Sequence, residues 1–142
     1  LDSQTRRIII MASTLFRGPV LVGKKDTSGY NIETKGSSYT VVISTDSGKT
    51  FISNTDGVVF TLPSIAIGNV FTFVNTAADG VNTFTVSPNS SDGILYLGAL
   101  TDDSDVINTK STSKVGDYVT IASLNSTAFW TVVDVQGVWA KS

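Results

Sequence analysis

The side chains that could do chemistry are few, and their spacing argues against catalysis. The 142 residues contain no His and no Cys. That removes the commonest general base, the Ser-His-Asp and Cys-His triads and most zinc sites. Glu33 is the only Glu. A carboxylate pair for glycoside hydrolysis would have to come from Asp, and nearly all Asp residues sit in turn sequences where Asp is favoured for backbone reasons. Asp102, Asp103 and Asp105 gather three carboxylates in a short stretch. Calcium needs roughly six to eight oxygens, and neither the glycine nor the closing acid of a helix-loop-helix site comes next in Asp105-Val106-Ile107-Asn108-Thr109-Lys110. A solvated acidic loop is the favoured reading, with an intersubunit ion or a salt bridge to a neighbour as the other. Ser47-Gly48-Lys49-Thr50 imitates the end of a phosphate-binding loop, but the motif's first glycine would fall at Ile43, and Phe51-Ile52 reads as strand where a helix is required. A tight turn accounts for it better. No catalytic, cofactor-binding or metal-binding residue is assigned, and no cofactor is expected.

Composition points the same way. Apolar residues make up 41% of the chain and charged residues 15%, against a usual charged share of about 25%. The surface must therefore be rich in Ser, Thr and Asn, which suits a component that meets neighbours over broad, weakly charged areas, although many free β-domains look similar. A net charge of −2 with basic residues scattered from Arg6 to Lys141 provides no stripe for phosphate contacts, so nucleic acid is not an expected partner. No apolar run approaches the ~18 residues of a bilayer-spanning helix, and no membrane partner is expected. Without Cys, stability has to come from packing, strand pairing or oligomerisation. Asn89-Ser90-Ser91 and Asn125-Ser126-Thr127 match glycosylation acceptors, a pattern common by chance. Trp130 and Trp139 could form a carbohydrate platform, but aromatics in terminal strands are more often core or subunit interface.

The elements that would position these residues are strands. Tyr39, Val41 and Ile43 alternate with Ser38, Thr40, Val42 and Ser44, and Phe84 and Val86 alternate with Thr83, Thr85 and Ser87, the period-two pattern of half-buried strands. Val58, Phe60 and Leu62 share one face of another. Phe71 and Phe73 oppose Val70, Thr72 and Val74, so that strand is apolar on both sides and reads as central. Ile94 to Leu97 is short and two-sided. Tyr118 to Ser123 and Phe129 to Val135 form a last pair joined by a hairpin loop at Leu124-Asn125-Ser126-Thr127. Ser28-Gly29, Ser47-Gly48, Asp56-Gly57, Asp79-Gly80 and Asp92-Gly93 supply turn residues, and Pro63 and Pro88 close strands. No window shows a helical stripe. The expected fold is all-β: a single antiparallel β-sandwich or jelly-roll-like domain over 17–142, with an extended N-terminal arm over 1–16.

The arm differs in character from the rest of the chain. Leu1 to Ile10 precede Met11-Ala12-Ser13, which reads as an ordinary start of translation, so the segment is either a genuine arm or an upstream extension. The apolar stretch is too short for a signal peptide and is broken by Ser13, Thr14 and Arg17. Ile8-Ile9-Ile10 would make a good added strand on a neighbouring sheet edge, with Arg6 and Arg7 meeting acidic side chains and Leu15 and Phe16 adding apolar contact. The bland alternative is a frayed terminus. The expected partner-binding residues are Arg6, Arg7, Ile8, Ile9, Ile10, Leu15, Phe16, Trp130 and Trp139.

Five groups of residues carry a resemblance: Thr45 to Thr50; Thr61-Leu62-Pro63-Ser64 with Gly68; Phe71 to Asn75; Ser87-Pro88-Asn89 with Asp92-Gly93-Ile94; and Trp130 to Val133 with Gly137-Val138-Trp139. In order and spacing, over about two thirds of the chain, they resemble a β-sandwich module of tailed-bacteriophage virion proteins, found in capsid decoration (cement) proteins and in head or tail fibres. The resemblance implies a non-enzymatic decoration protein on the outer capsid surface of the virion, binding the major capsid protein as a homo-oligomer, a trimer. The alternative is a fibre or spike domain binding a host-surface glycan, and a third reading is a non-viral β-sandwich adhesion module. A fibre is expected to show a collagen-like, coiled-coil or repeated β stretch, and none is evident in the sequence.

Overall fold

Alternation of large apolar and small polar residues builds eleven short strands in the computed structural model, which describes residues 31–124 and 127–142. They are β1 (Ile32–Thr34), β2 (Tyr39–Thr40), β3 (Thr50–Ser53), β4 (Val58–Thr61), β5 (Val70–Asn75), β6 (Phe84–Ser87), β7 (Gly93–Leu95), β8 (Val106–Asn108), β9 (Tyr118–Ala122), β10 (Phe129–Gln136) and β11 (Ala140–Lys141). One helical turn, α1 (Ile43–Asp46), lies between β2 and β3. Two sheets result, one in the order β1-β3-β5-β9-β10-β7 and one in the order β11-β8-β6-β4-β2.

The all-β expectation holds, but the antiparallel arrangement does not. β1 with β3, β3 with β5, β2 with β4, β4 with β6, and β10 with β7 are parallel pairs. Only β5 with β9, β9 with β10, β6 with β8, and β8 with β11 are antiparallel. The cause is the path of the chain. From β1 to β6 each strand lies in the opposite sheet from the one before it, so the chain winds, and every return to a sheet runs in the same direction as the last pass. A parallel pair needs a crossover, and here a strand of the facing sheet provides it. Register aligns the windings: Thr50 lies beside Thr72 and Phe51 beside Phe73, while Phe60 lies between Tyr39 and Val86. Successive windings therefore repeat in the fold.

The inward faces meet in one aromatic core. Phe51 and Phe73, side by side on parallel strands, stack with centroids 5.7 Å apart. Phe60 of the facing sheet reaches both of them and its neighbour Phe84 at 5.2 to 5.5 Å. Phe51, Phe60, Phe71, Phe73, Phe84, Ile94, Ile121 and Trp130 are fully buried. Each such side chain contributes about 1.5–3 kcal/mol by leaving water, and close ring pairs add about 0.5–1.5 kcal/mol.

Two local expectations need correction. The strand expected over Ser38 to Ser44 stops at Thr40, because Asp46 turns back: its Oδ2 accepts the Val42 N–H at 2.8 Å and the Tyr39 hydroxyl at 2.9 Å, and α1 forms between. β5 is central, flanked by β3 and β9, yet of its apolar residues only Phe71 and Phe73 are buried, while Val70 on its other face is 41% exposed.

Candidate functional site: contact surfaces in place of a cleft

Among the described residues there is no pocket and no group of three His, Asp or Glu side chains positioned to hold a metal ion. Asp102 and Asp103 are exposed. Asp103 sits at φ 55, and its N–H donates to the Asp92 carbonyl. Asp105 is tied to the C-terminus, its N–H donating to Ser142 Oγ and its carbonyl accepting the Ser142 N–H.

The main charged cluster is internal. Lys49, in the loop resembling a phosphate-binding motif, is 7% exposed, and its ammonium donates to Asp46 Oδ1 at 2.8 Å and Glu33 Oε2 at 2.6 Å. Lys35 completes the group, donating to Glu33 Oε1 at 2.6 Å and lying 3.5 Å from the centroid of the Tyr39 ring. Gly48 adopts φ 78 to make the turn into β3. Burial alone would raise the Asp46 carboxyl, but the hydrogen bonds from Lys49, Val42 and Tyr39 outweigh it and hold the group below its usual range. Hydrogen bonds from Lys35 and Lys49 lower Glu33. Lys49 behaves reciprocally: burial would lower it, and its two carboxylate partners raise it. Burial, followed by the bond to Asp46, raises Tyr39. These groups satisfy one another and close the core between the edge strands β1 and β2. Glu33 and Lys49 each stand out in the sequence, but nothing there signals that they meet.

A second buried network locks the opposite end. Asn75 donates to Asn108 at 2.8 Å, and Asn108 Nδ2 donates to Asp117 at 2.9 Å and to the Val138 carbonyl at 3.0 Å. Gly137 is required beside it: at φ 91, a Cβ there would collide with the Asp117 carboxylate.

Of the expected partner-binding residues, Arg6, Arg7, Ile8, Ile9, Ile10, Leu15 and Phe16 lie outside the described residues. Trp130 is fully buried against Phe71, and Trp139 is 5% exposed with its ring edge-on to Phe84 and its indole N–H donated to the Gln136 carbonyl. Both tryptophans are core in this chain, so neither offers a ring to a sugar or a partner.

Large apolar side chains are nevertheless exposed at several places. Ile67, Leu100 and Leu124 are exposed in loops gathered at one end. There Gly68 N–H donates to the Ser123 carbonyl, Ile65 N–H to Asp92, and Gly93 lies against Leu100. Leu97, the most exposed large apolar residue among the described residues, sits at φ 51 next to Gly98 at φ 76, in the turn closed by Tyr96 and Ala99. A left-handed leucine costs roughly 1 kcal/mol or more, so this tip displays an apolar side chain on a strained backbone. No protein-family model matches the chain, and no curated protein matches it.

Proposed function

We propose that this chain is a non-enzymatic structural protein of a tailed-phage virion, a decoration (cement) protein that binds the major capsid protein on the outer surface of the head as a homotrimer. In this reading the two facing sheets are a wound variant of the β-sandwich. The observation that supports it is the placement of exposed large apolar side chains, Ile67, Leu97, Leu100 and Leu124, on loops and a turn rather than around a cavity. Such a surface binds through area, and area buried only in the assembled shell stabilises that shell by mass action. The test is to add purified protein to heads lacking it and image them. Density at fixed sites between capsid subunits is expected, and absence of binding at saturating protein overturns the reading.

One observation favours the second reading, a fibre or spike domain. The winding of β1 to β6, with parallel neighbours in both sheets, is a repeated β stretch, the feature expected of fibres. Density on tail appendages and none on the head would select it.

A further inference from the structure

We infer that Lys49 and Asp46 condense into a side-chain amide, a cross-link that this chain, which has no Cys, makes on itself. The groups the reaction needs meet where β1, α1 and the turn into β3 come together. The nucleophile is Lys49, whose Nζ lies 2.8 Å from Asp46 Oδ1. The electrophile is the Asp46 carboxyl, and its other oxygen, Oδ2, accepts the Val42 N–H at 2.8 Å and the Tyr39 hydroxyl at 2.9 Å. Two donors aimed at one oxygen are the arrangement that stabilises a tetrahedral oxyanion. The proton carrier is Glu33, with Oε2 2.6 Å from the same Nζ and Oε1 held by Lys35. The Lys49 and Asp46 side chains are 8% and 1% exposed, so the bond would form away from the water that hydrolyses it. The backbone presets the pair. Ser47 at φ −55 and ψ 130 and Gly48 at φ 78 make a type II turn, closed by the Lys49 N–H on the Asp46 carbonyl at 2.9 Å. The fold has therefore already met most of the entropic cost of bringing the two side chains together.

The step balances within the cluster. One proton passes from Nζ to Oδ1, which leaves a neutral amine beside a neutral carboxyl with no exchange with solvent. Nζ then bonds to Cγ, and the carbonyl electron pair moves onto Oδ2 between Val42 and Tyr39. Glu33 takes a second proton from the nitrogen and returns it to Oδ1. The Cγ–Oδ1 bond breaks, the oxygen leaves as water, and the third proton stays on the amide nitrogen. The resting cluster favours the ions, with Lys49 raised and Asp46 lowered, so the neutral pair is rare and the bond forms slowly. Freshly folded protein carries the ion cluster, and the cross-link accumulates with age. The change is a single turnover on the chain itself, and it is independent of whether the protein sits on a head or on a fibre.

The test is mass spectrometry of the full chain after prolonged incubation at neutral pH. The expected mass is one water below that of the sequence. Trypsin should fail to cut after Lys49 and should release residues 36–110 as one peptide, also short of one water. Lys49→Arg keeps the charge but its guanidinium stays protonated, so this variant should keep the wild-type circular dichroism spectrum and its full mass. Glu33→Gln should slow the loss of water at least ~100-fold. An unchanged wild-type mass or normal cleavage after Lys49 would overturn the inference. So would a loss of water that persists in Lys49→Arg, as cyclisation at an Asp-Gly turn gives, or a peptide joining residues 26–35 to 36–110, which places the bond on Glu33.

Discussion

Replacing Lys49 with Met should expose the energetic role of the buried ion cluster. The side chain keeps its length and apolar stem, and the group that disappears is the ammonium 2.8 Å from Asp46 and 2.6 Å from Glu33. Removing one partner of a buried pair costs about 3–5 kcal/mol, because the other charge is left uncompensated. Here the loss is smaller. Asp46 keeps the Tyr39 hydroxyl and the Val42 N–H, and the partly exposed Glu33 keeps Lys35, so about 2–4 kcal/mol is expected. For a chain of this length that corresponds to a fall in Tm of ~5–15 °C. Urea unfolding at pH 7 measures it, with the slope m unchanged. Without Lys49 the Asp46 carboxyl loses the strongest of the contacts that lower it, so the deficit should narrow as the pH falls toward about 4 and carboxylates take up protons. Asp46→Asn combined with Lys49→Met should recover most of the loss. A Lys49→Met protein within about 0.5 kcal/mol of wild type, or one equally deficient at pH 4 and pH 7, would refute the reasoning.

Other outcomes rest on the same structure. Phe60→Ala removes the ring that joins Phe51, Phe73 and Phe84 across the two sheets, and should cost about 3–5 kcal/mol in the same unfolding assay. Gly137→Ala must either displace the Asp117 carboxylate or abandon φ 91, so a loss of at least ~1 kcal/mol is expected. For wild type, Glu33 and Asp46 are lowered in the folded state, so their contribution is present above the ordinary carboxylate range and is lost as pH falls below about 4. Lys49 is raised, so its contribution is present below about 10.5 and lost above it. The melting temperature should therefore be flat from about pH 5 to pH 10 and fall on both sides.

Strand content is legible in the sequence because burial imposes a period of two, and Val58, Phe60, Phe71, Phe73, Phe84 and Val86 all occupy the inward positions the alternation assigns them. Strand partners are not legible. Asp56-Gly57 and Asp79-Gly80 announce that the chain reverses, but a turn reads the same whether the next strand returns to its own sheet or crosses to the facing one. Both of these turns cross, which converts an expected meander into parallel windings. A signal does exist: Thr50-Phe51-Ile52-Ser53 matches Thr72-Phe73-Val74-Asn75 in type, and these segments lie in register. The α1 turn escapes a sequence reading because Tyr39, Val41 and Ile43 continue a strand pattern that the Asp46 carboxylate overrides. Trp130 and Trp139 can be read as core or surface from sequence, and only the packing against Phe71 and Phe84 decides.

The central functional claim is that this protein stabilises a capsid by burying area on it, and thermal unfolding of phage heads as a function of occupancy tests that most directly. Heads stripped of the protein should melt at a lower temperature than complete heads, with the melting temperature rising again as purified protein is restored, in proportion to the sites filled. Identical melting temperatures for stripped, restored and complete heads would contradict the account.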